Sequence, residues 1–185
     1  LTDLISKRTS NLMQPHLAER IASNTKEQFP GGVPGYGTDA LRYTFYSLAS
    51  PGRDIKFDLG RMEGYRNFCN KIWNAARYVH TNIHSSDSLD GIEELSPADR
   101  WIKSRFQRCL KKVDKAYSNF RFDIASQTIY DFIWSEFCDW YLEFSKPVFR
   151  GENFDSQLKL GTRRTLFQVL EQSMRMLHPF MPFLT

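Results

Sequence analysis

Asn67, Asn70, Lys71, Asn74, Arg77 and Tyr78 recur at steps of three and four within Gly64–Val79. That spacing puts them on one side of a helix. An Asn amide offers a donor and an acceptor, a cation attracts phosphate, and a Tyr ring is a stacking surface. Together these groups have the chemistry to hold single-stranded RNA. The amides are also a costly choice, because an Asn side chain competes for the helix backbone at about half a kcal/mol each relative to Ala. A merely solvated face would more cheaply carry Glu, Lys and Gln. Specific hydrogen bonds are therefore expected, either to a ligand or to a neighbouring helix. Polar helix faces are commonly just solvated, and Asn often ties helices together, so the residues alone leave both readings open.

Other reactive groups point to less. Glu136, Asp139 and Glu143 form an acidic line at helical steps. Such a line can serve acid–base chemistry, but a buried network, with Arg or Asn residues of the 64–79 stretch as partners, fits better because nothing nearby resembles a substrate site. His80 and His84 are spaced like metal ligands on a helix but lack an evident third ligand, so they are expected as surface histidines near a helix end. His16 and His178 read as structural. Gly31-Gly32 and Gly35-x-Gly37 match no phosphate-binding loop, and no G-x-S-x-G elbow occurs. Cys69, Cys109 and Cys138 are odd in number and lack disulfide or zinc spacing, which suits a reduced, cytosolic protein. The segment does not look like an enzyme by itself.

The elements that must position these groups are helical. The chain has 185 residues, 41% apolar and 15% aromatic, enough for one packed domain or one plus a short extension. Few β-branched alternating runs occur. A net charge of +4 is compatible with a polyanion partner but is weak support for one. No run reaches transmembrane length and no signal peptide opens the chain. Both ends look cut from something longer. Leu1 to about Ser23 reads as helix broken near Gln14-Pro15, and Lys26–Gly37 as a connection. Thr38 is the expected cap of a helix from Asp39 to Ala49, with Asp39 complementing the helix dipole. Arg53–Asp58 reads as an extended linker, with Asp58 capping a helix that runs to about Asn82 and buries Tyr65, Phe68, Cys69, Ile72, Ala75, Ala76, Val79 and Ile83. Ser85–Leu95 reads as a loop. Ser96-Pro97-Ala98-Asp99 starts the next helix with features of a capping box. That helix carries Arg105, Arg108, Lys111, Lys112 and Lys115 on a basic face, read equally as solvated surface or polyanion contact. Phe122–Lys146, ended by Pro147, is apolar nearly all round and should sit at the bundle centre. A last helix spans about Asp155–Leu177. The expected fold is all-α, an antiparallel helical bundle.

Several stretches together carry a resemblance. They are Gly37-Thr38-Asp39-Ala40-Leu41-Arg42, Gly52-Arg53-Asp54-Ile55, Tyr65 to Val79 with its Asn-x-x-Asn-Lys-x-Trp-Asn pattern, Ala98-Asp99-Arg100-Trp101-Ile102, and Arg121-Phe122-Asp123-Ile124-Ala125. Phe137-Cys138-Asp139-Trp140-Tyr141-Leu142-Glu143 with Lys146-Pro147, and His178-Pro179-x-x-Pro182-Phe183, complete the set. In this order they resemble the valyl-tRNA synthetases of bacterial type, which are class I aminoacyl-tRNA synthetases, over essentially the whole chain. The isoleucyl and leucyl enzymes share the first stretch but lack the Asn-rich pattern.

The resemblance implies a bundle of the class I synthetase anticodon-binding type at 37–185, preceded at 1–36 by a helical connection from the catalytic core, with the bundle continuing into further sequence. It implies a cytoplasmic parent enzyme that activates valine with ATP and charges valine tRNA. ATP and Mg belong to a catalytic domain outside this segment; no cofactor is expected within it, and no metal or membrane contact. The implied partners are the anticodon stem-loop of valine tRNA and the catalytic domain of the same chain. By position in the family, Tyr78 matches a base-stacking aromatic and Leu142 an apolar contact. Gly60 stands where the family has a basic contact, and Arg61 beside it is the expected substitute. Asn70, Lys71 and Arg77 are the further RNA-binding candidates, while Arg66 and Asn74 are expected as internal braces to the acidic line. Arg53 and Asp54 are expected at the hinge toward the catalytic core. The alternatives are the equivalent bundle of an isoleucyl, leucyl or methionyl enzyme, or a helical interaction scaffold without RNA binding.

Overall fold

The structure, a computed structural model, describes residues 1–52, 54–55, 57–83, 94–151 and 154–185. Among the described residues there is no β-strand. The chain folds into two compact units, Leu1–Tyr36 and Gly37–Thr185. Arg53, His84 and most of the 85–95 loop lie outside the described residues.

The first unit holds α1 (Thr2–Thr9), a 3-10 turn at Pro15–Leu17 and α2 (Ala18–Gln28). The helix break falls earlier than the Gln14-Pro15 signal. Ser10 is already extended and Asn11 takes φ +62°, a left-handed conformation that Asn tolerates. α2 also runs past Ser23 to Gln28. Arg8 donates to the buried Thr25 hydroxyl at 3.1 Å, joining α1 to α2.

The second unit comprises α3 (Thr38–Leu48), α4 (Leu59–Asn82), α5 (Pro97–Ser118), α6 (Phe122–Asp131), a π-helical stretch (Phe132–Tyr141), α7 (Leu142–Arg150) and α8 (Ser156–Leu177). Two helix starts follow the sequence signals. Asp58 Oδ1 accepts the N–H groups of Gly60 at 2.8 Å and Arg61 at 3.4 Å. Ser96 and Asp99 close a capping box, each side chain accepting from the other's backbone N–H. The third start differs: the α3 cap is Gly37 at φ +88°, a conformation open to glycine, and Thr38 already lies in the helix.

Contacts between helices set their directions. Tyr65 meets Tyr130, Phe68 meets Trp134, Lys71 meets Asp139 and Tyr78 meets Ser145, so α4 runs parallel to the α6–π–α7 rod. Arg105 meets Glu136 and Trp101 meets Phe144, so α5 runs antiparallel to that rod. Asp99 meets Thr162 and Tyr117 meets Phe180, just past α8, so α8 follows α5. The long helices thus alternate up and down in chain order around a core containing Phe68, Ile102, Phe137, Leu166 and Leu177.

The rod is a single continuous axis, and Pro147 lies inside it rather than at its end. Its centre is π-helical because of how the apolar residues pair. Phe132-Ile133, Phe137-Cys138 and Tyr141-Leu142 are separated by five and then four residues, and all six are buried. An α-helix would rotate residues five apart onto different faces, whereas i→i+5 bonding brings them back into line. Leu142 N–H bonds the Phe137 carbonyl, five residues back.

Two polar clusters fix the assembly. Fully buried Asp99 accepts from the Tyr141 hydroxyl at 2.6 Å and the Thr162 hydroxyl at 3.0 Å, besides Ser96 N–H at 2.8 Å. One carboxylate thereby ties α5, the π stretch and α8 together. Burial, then the Asp99 charge, hold the Tyr141 hydroxyl protonated well beyond its ordinary range. At the other end, Asp39 is only 7% exposed and accepts the Phe183 and Leu184 N–H groups, the latter at 2.7 Å. Arg42 donates to the carbonyls of Phe180 at 3.2 Å and Pro179 at 3.0 Å. Asp39 is therefore more than a complement to the helix dipole: it clamps the segment after α8.

Candidate nucleic-acid interface

The polar side of α4 turns outward. Asn67, Asn70, Asn74 and Arg77 are all exposed. Among the described residues, no side-chain hydrogen bond or ion pair engages any of the four. Trp73 stands beside them with 60% of its surface exposed. The opposite side, with Met62, Phe68, Ile72, Ala75 and Val79, is buried, so α4 has no freedom to turn its amides inward.

Of the two expected braces, Asn74 faces outward, and a residue expected as an RNA contact braces α4 instead. Lys71, and not Asn74, reaches the rod: its ammonium bonds Asp139 at 2.5 Å and sits 4.3 Å from the Trp134 ring centroid. Arg66 lies 3.9 Å from Glu63 on its own helix. The acidic line is not buried, yet each member is neutralised. Glu136 takes a bidentate bond from Arg105 of α5, Asp139 pairs with Lys71, and Glu143 pairs with Lys146 one turn on. The Glu136 bond raises the Arg105 pKa further. A line facing outward from the centre of the rod needs only side-chain partners at the surface, and the flanking helices supply them.

Tyr78 and Leu142 come together through one residue. The buried Ser145 hydroxyl donates to the Leu142 carbonyl at 2.7 Å, so the Tyr78 hydroxyl, 2.8 Å away, donates to Ser145. The Tyr78 ring stays half-buried at the outer edge of this joint. Leu142 is 8% exposed and belongs to the core, which leaves little of its side chain for a ligand. Arg61 stands 17 residues before Tyr78 on the same helix, about 25 Å away at 1.5 Å per residue. It caps nothing and lies 3.8 Å from Asp58. The structure thus places Asn70, Asn74, Arg77 and Tyr78 along the second half of α4, from its midpoint onward, and leaves Arg61 in its first turn.

Residues 99–185 match the family profile described as the anticodon-binding domain of tRNA ligase. The whole chain is 54% identical, over 187 aligned residues, to the valine--tRNA ligase of Legionella pneumophila strain Lens, and equally to those of strains Paris and Philadelphia 1. The chain spans about a fifth of the length of these curated relatives, 20% of each. The match to the relatives includes α4, which lies before the matched domain profile.

The three thiols of the 37–185 unit are held neutral. Burial pushes Cys69 up to about 11 and both Cys109 and Cys138 up to about 12. His80 is exposed in the last turn of α4. Among the described residues, no helix is long and apolar enough to cross a membrane. Sequence reasoning missed the exposure of Trp73 and Trp140, at 60% and 57%. The signal was present: neither fits its helix's apolar repeat, and a Trp outside the repeat has no core to enter.

Proposed function

We propose that the 37–185 unit recognises the anticodon stem-loop of valine tRNA on behalf of a valine–tRNA ligase. The observation that carries this reading is the outward row of unpaired Asn amides on α4, beside Arg77 and Tyr78. Bases of a single-stranded loop can be splayed apart, read along their edges by amides and stacked on aromatic rings. Asn70 and Asn74 suit edge reading, Tyr78 and the exposed Trp73 suit stacking, and Arg77 suits a phosphate or base contact. Lys71 serves by holding α4 against the rod. The parent enzyme would use ATP and Mg to activate valine and would charge the tRNA in the cytoplasm, with its catalytic domain elsewhere in the same protein. The scaffold reading expects the Asn face to meet protein; among the described residues no side-chain hydrogen bond or ion pair engages it.

Direct binding tests the proposal. The chain is titrated with valine tRNA and with the same tRNA carrying a changed middle anticodon base, at two salt concentrations. A preference for the valine anticodon that persists at higher salt supports base readout. Equal binding that fades with salt reduces the interaction to phosphate attraction and removes the proposal.

A further inference from the structure

On the far side of the rod from α4, a cavity of about 430 Å³ opens between α5 and the first part of the rod. Its α5 wall carries Arg105, Arg108, Lys111 and Lys112. The facing wall contributes Asp131 and Glu136. Glu136 is committed to Arg105 by the bidentate bond, and Asp131 accepts from Gln127 on its own helix at 2.8 Å. Arg108, Lys111 and Lys112 are exposed, and among the described residues no carboxylate lies within ion-pair distance of them. The cavity therefore holds an excess of positive charge on side chains that no carboxylate of the described residues pairs with.

Its position indicates what fills it. The cavity and the α4 face flank the same rod, so they are separated by two helix spacings, about 16–20 Å. A single small anion at one face does not reach the other, but an extended polyanion does. The carboxylates on the intervening surface are neutralised from both sides, Asp139 by Lys71 and Glu136 by Arg105. A polyanion crossing the rod is thus spared their repulsion. We infer that this cavity takes the phosphodiester backbone of the RNA whose loop the α4 face reads, as a contact blind to sequence. The inference rests on the RNA-binding reading above and adds a second surface to it.

The test compares the 185-residue chain with its Arg108→Gln/Lys112→Gln double variant. Both are titrated with valine tRNA and with the tRNA changed at the middle anticodon base, between about 50 and 200 mM salt. Both substituted side chains are exposed, and circular dichroism verifies the helical fold. The double variant is expected to bind both tRNAs about ten-fold more weakly at the lower salt. Its slope of log affinity against log salt should be shallower by about 1.5–2, with the preference between the tRNAs unchanged. An unaltered slope and affinity, or a loss confined to one tRNA, overturns the proposal. So does loss of polyglutamate binding with the tRNA slope intact, which would assign the cavity to an acidic polypeptide. The two readings fail separately. Wild-type preference with no effect of the double variant removes only the cavity. A wild type without preference whose affinity still falls in the double variant removes only base readout.

Discussion

The outward faces of α4 and α5 are both polar and exposed, and both lie against the same central rod, yet they differ in kind. α4 presents Asn67, Asn70 and Asn74, neutral groups that give directional hydrogen bonds. α5 presents Arg105, Arg108, Lys111 and Lys112, charges that act at a distance and with little regard to geometry. Amides discriminate and screen poorly; charges attract and are screened by salt. Each face also spends one cation inward, Lys71 on Asp139 and Arg105 on Glu136, which fixes the face to the rod. What remains outward on each side is what a ligand can use.

The largest expected effect removes the platform under both faces. Asp99→Ala leaves the Tyr141 and Thr162 hydroxyls unpaired in the core, at a cost of about 3–5 kcal/mol. Thermal unfolding measures it, and both modes of RNA binding should fall together; a variant of wild-type stability would show that the two faces do not share this support. Next comes Gly161→Ala. A Cβ there would stand 2.0 Å from the Glu94 carbonyl oxygen, so α8 must shift away, costing about 1–3 kcal/mol by denaturant titration. This change should spare the α4 and α5 contacts in proportion to the protein that stays folded. The most specific comparison is Asn70→Ala combined with Asn74→Ala. Tighter helix propensity should raise stability by about 0.5 kcal/mol per site while the preference for the valine anticodon drops about ten-fold. Stability and discrimination rising together would place base reading elsewhere. The smallest effect is expected for Lys71→Met. Loss of the Asp139 pair and the Trp134 contact should cost about 1 kcal/mol of stability. Its tRNA affinity should change less than that of an Arg77→Met variant; the reverse order would make Lys71 a ligand contact rather than a brace.

Local signals were legible where the cause is local. The Asp58 cap, the Ser96–Asp99 box and the two-sided pattern of α4 depend on residues within one turn of each other. The role of Asp99 as a three-way tie was not, because it requires Tyr141 and Thr162 to arrive from helices far along the chain. The π stretch left a trace in the five-residue step between Phe132-Ile133 and Phe137-Cys138, which at α-helical period reads as apolarity all round. The choice between Lys71 and Asn74 for the brace was hidden for a geometric reason. They are three residues apart on neighbouring parts of one face, and only the direction of the neighbouring rod decides which one reaches it. Leu142 and Tyr78 show the same limit: both are placed at one joint, but burial of the first and partial exposure of the second follow from packing that sequence does not display.

The clamp on the segment after α8 bears on how the unit is made. Asp39 bonds the backbone of Leu184, 145 residues further on. During synthesis at about 5–20 residues per second, α3 waits roughly 7–30 s for the strand of chain that satisfies its buried carboxylate. Until then Asp39 and Arg42 have no partners at that end, and the nascent bundle remains open there. The latch on α3 is supplied by residues 179–184 rather than by the neighbouring helices, so a ribosome that stalls shortly before residue 184 would hold a chain whose α3 lacks it.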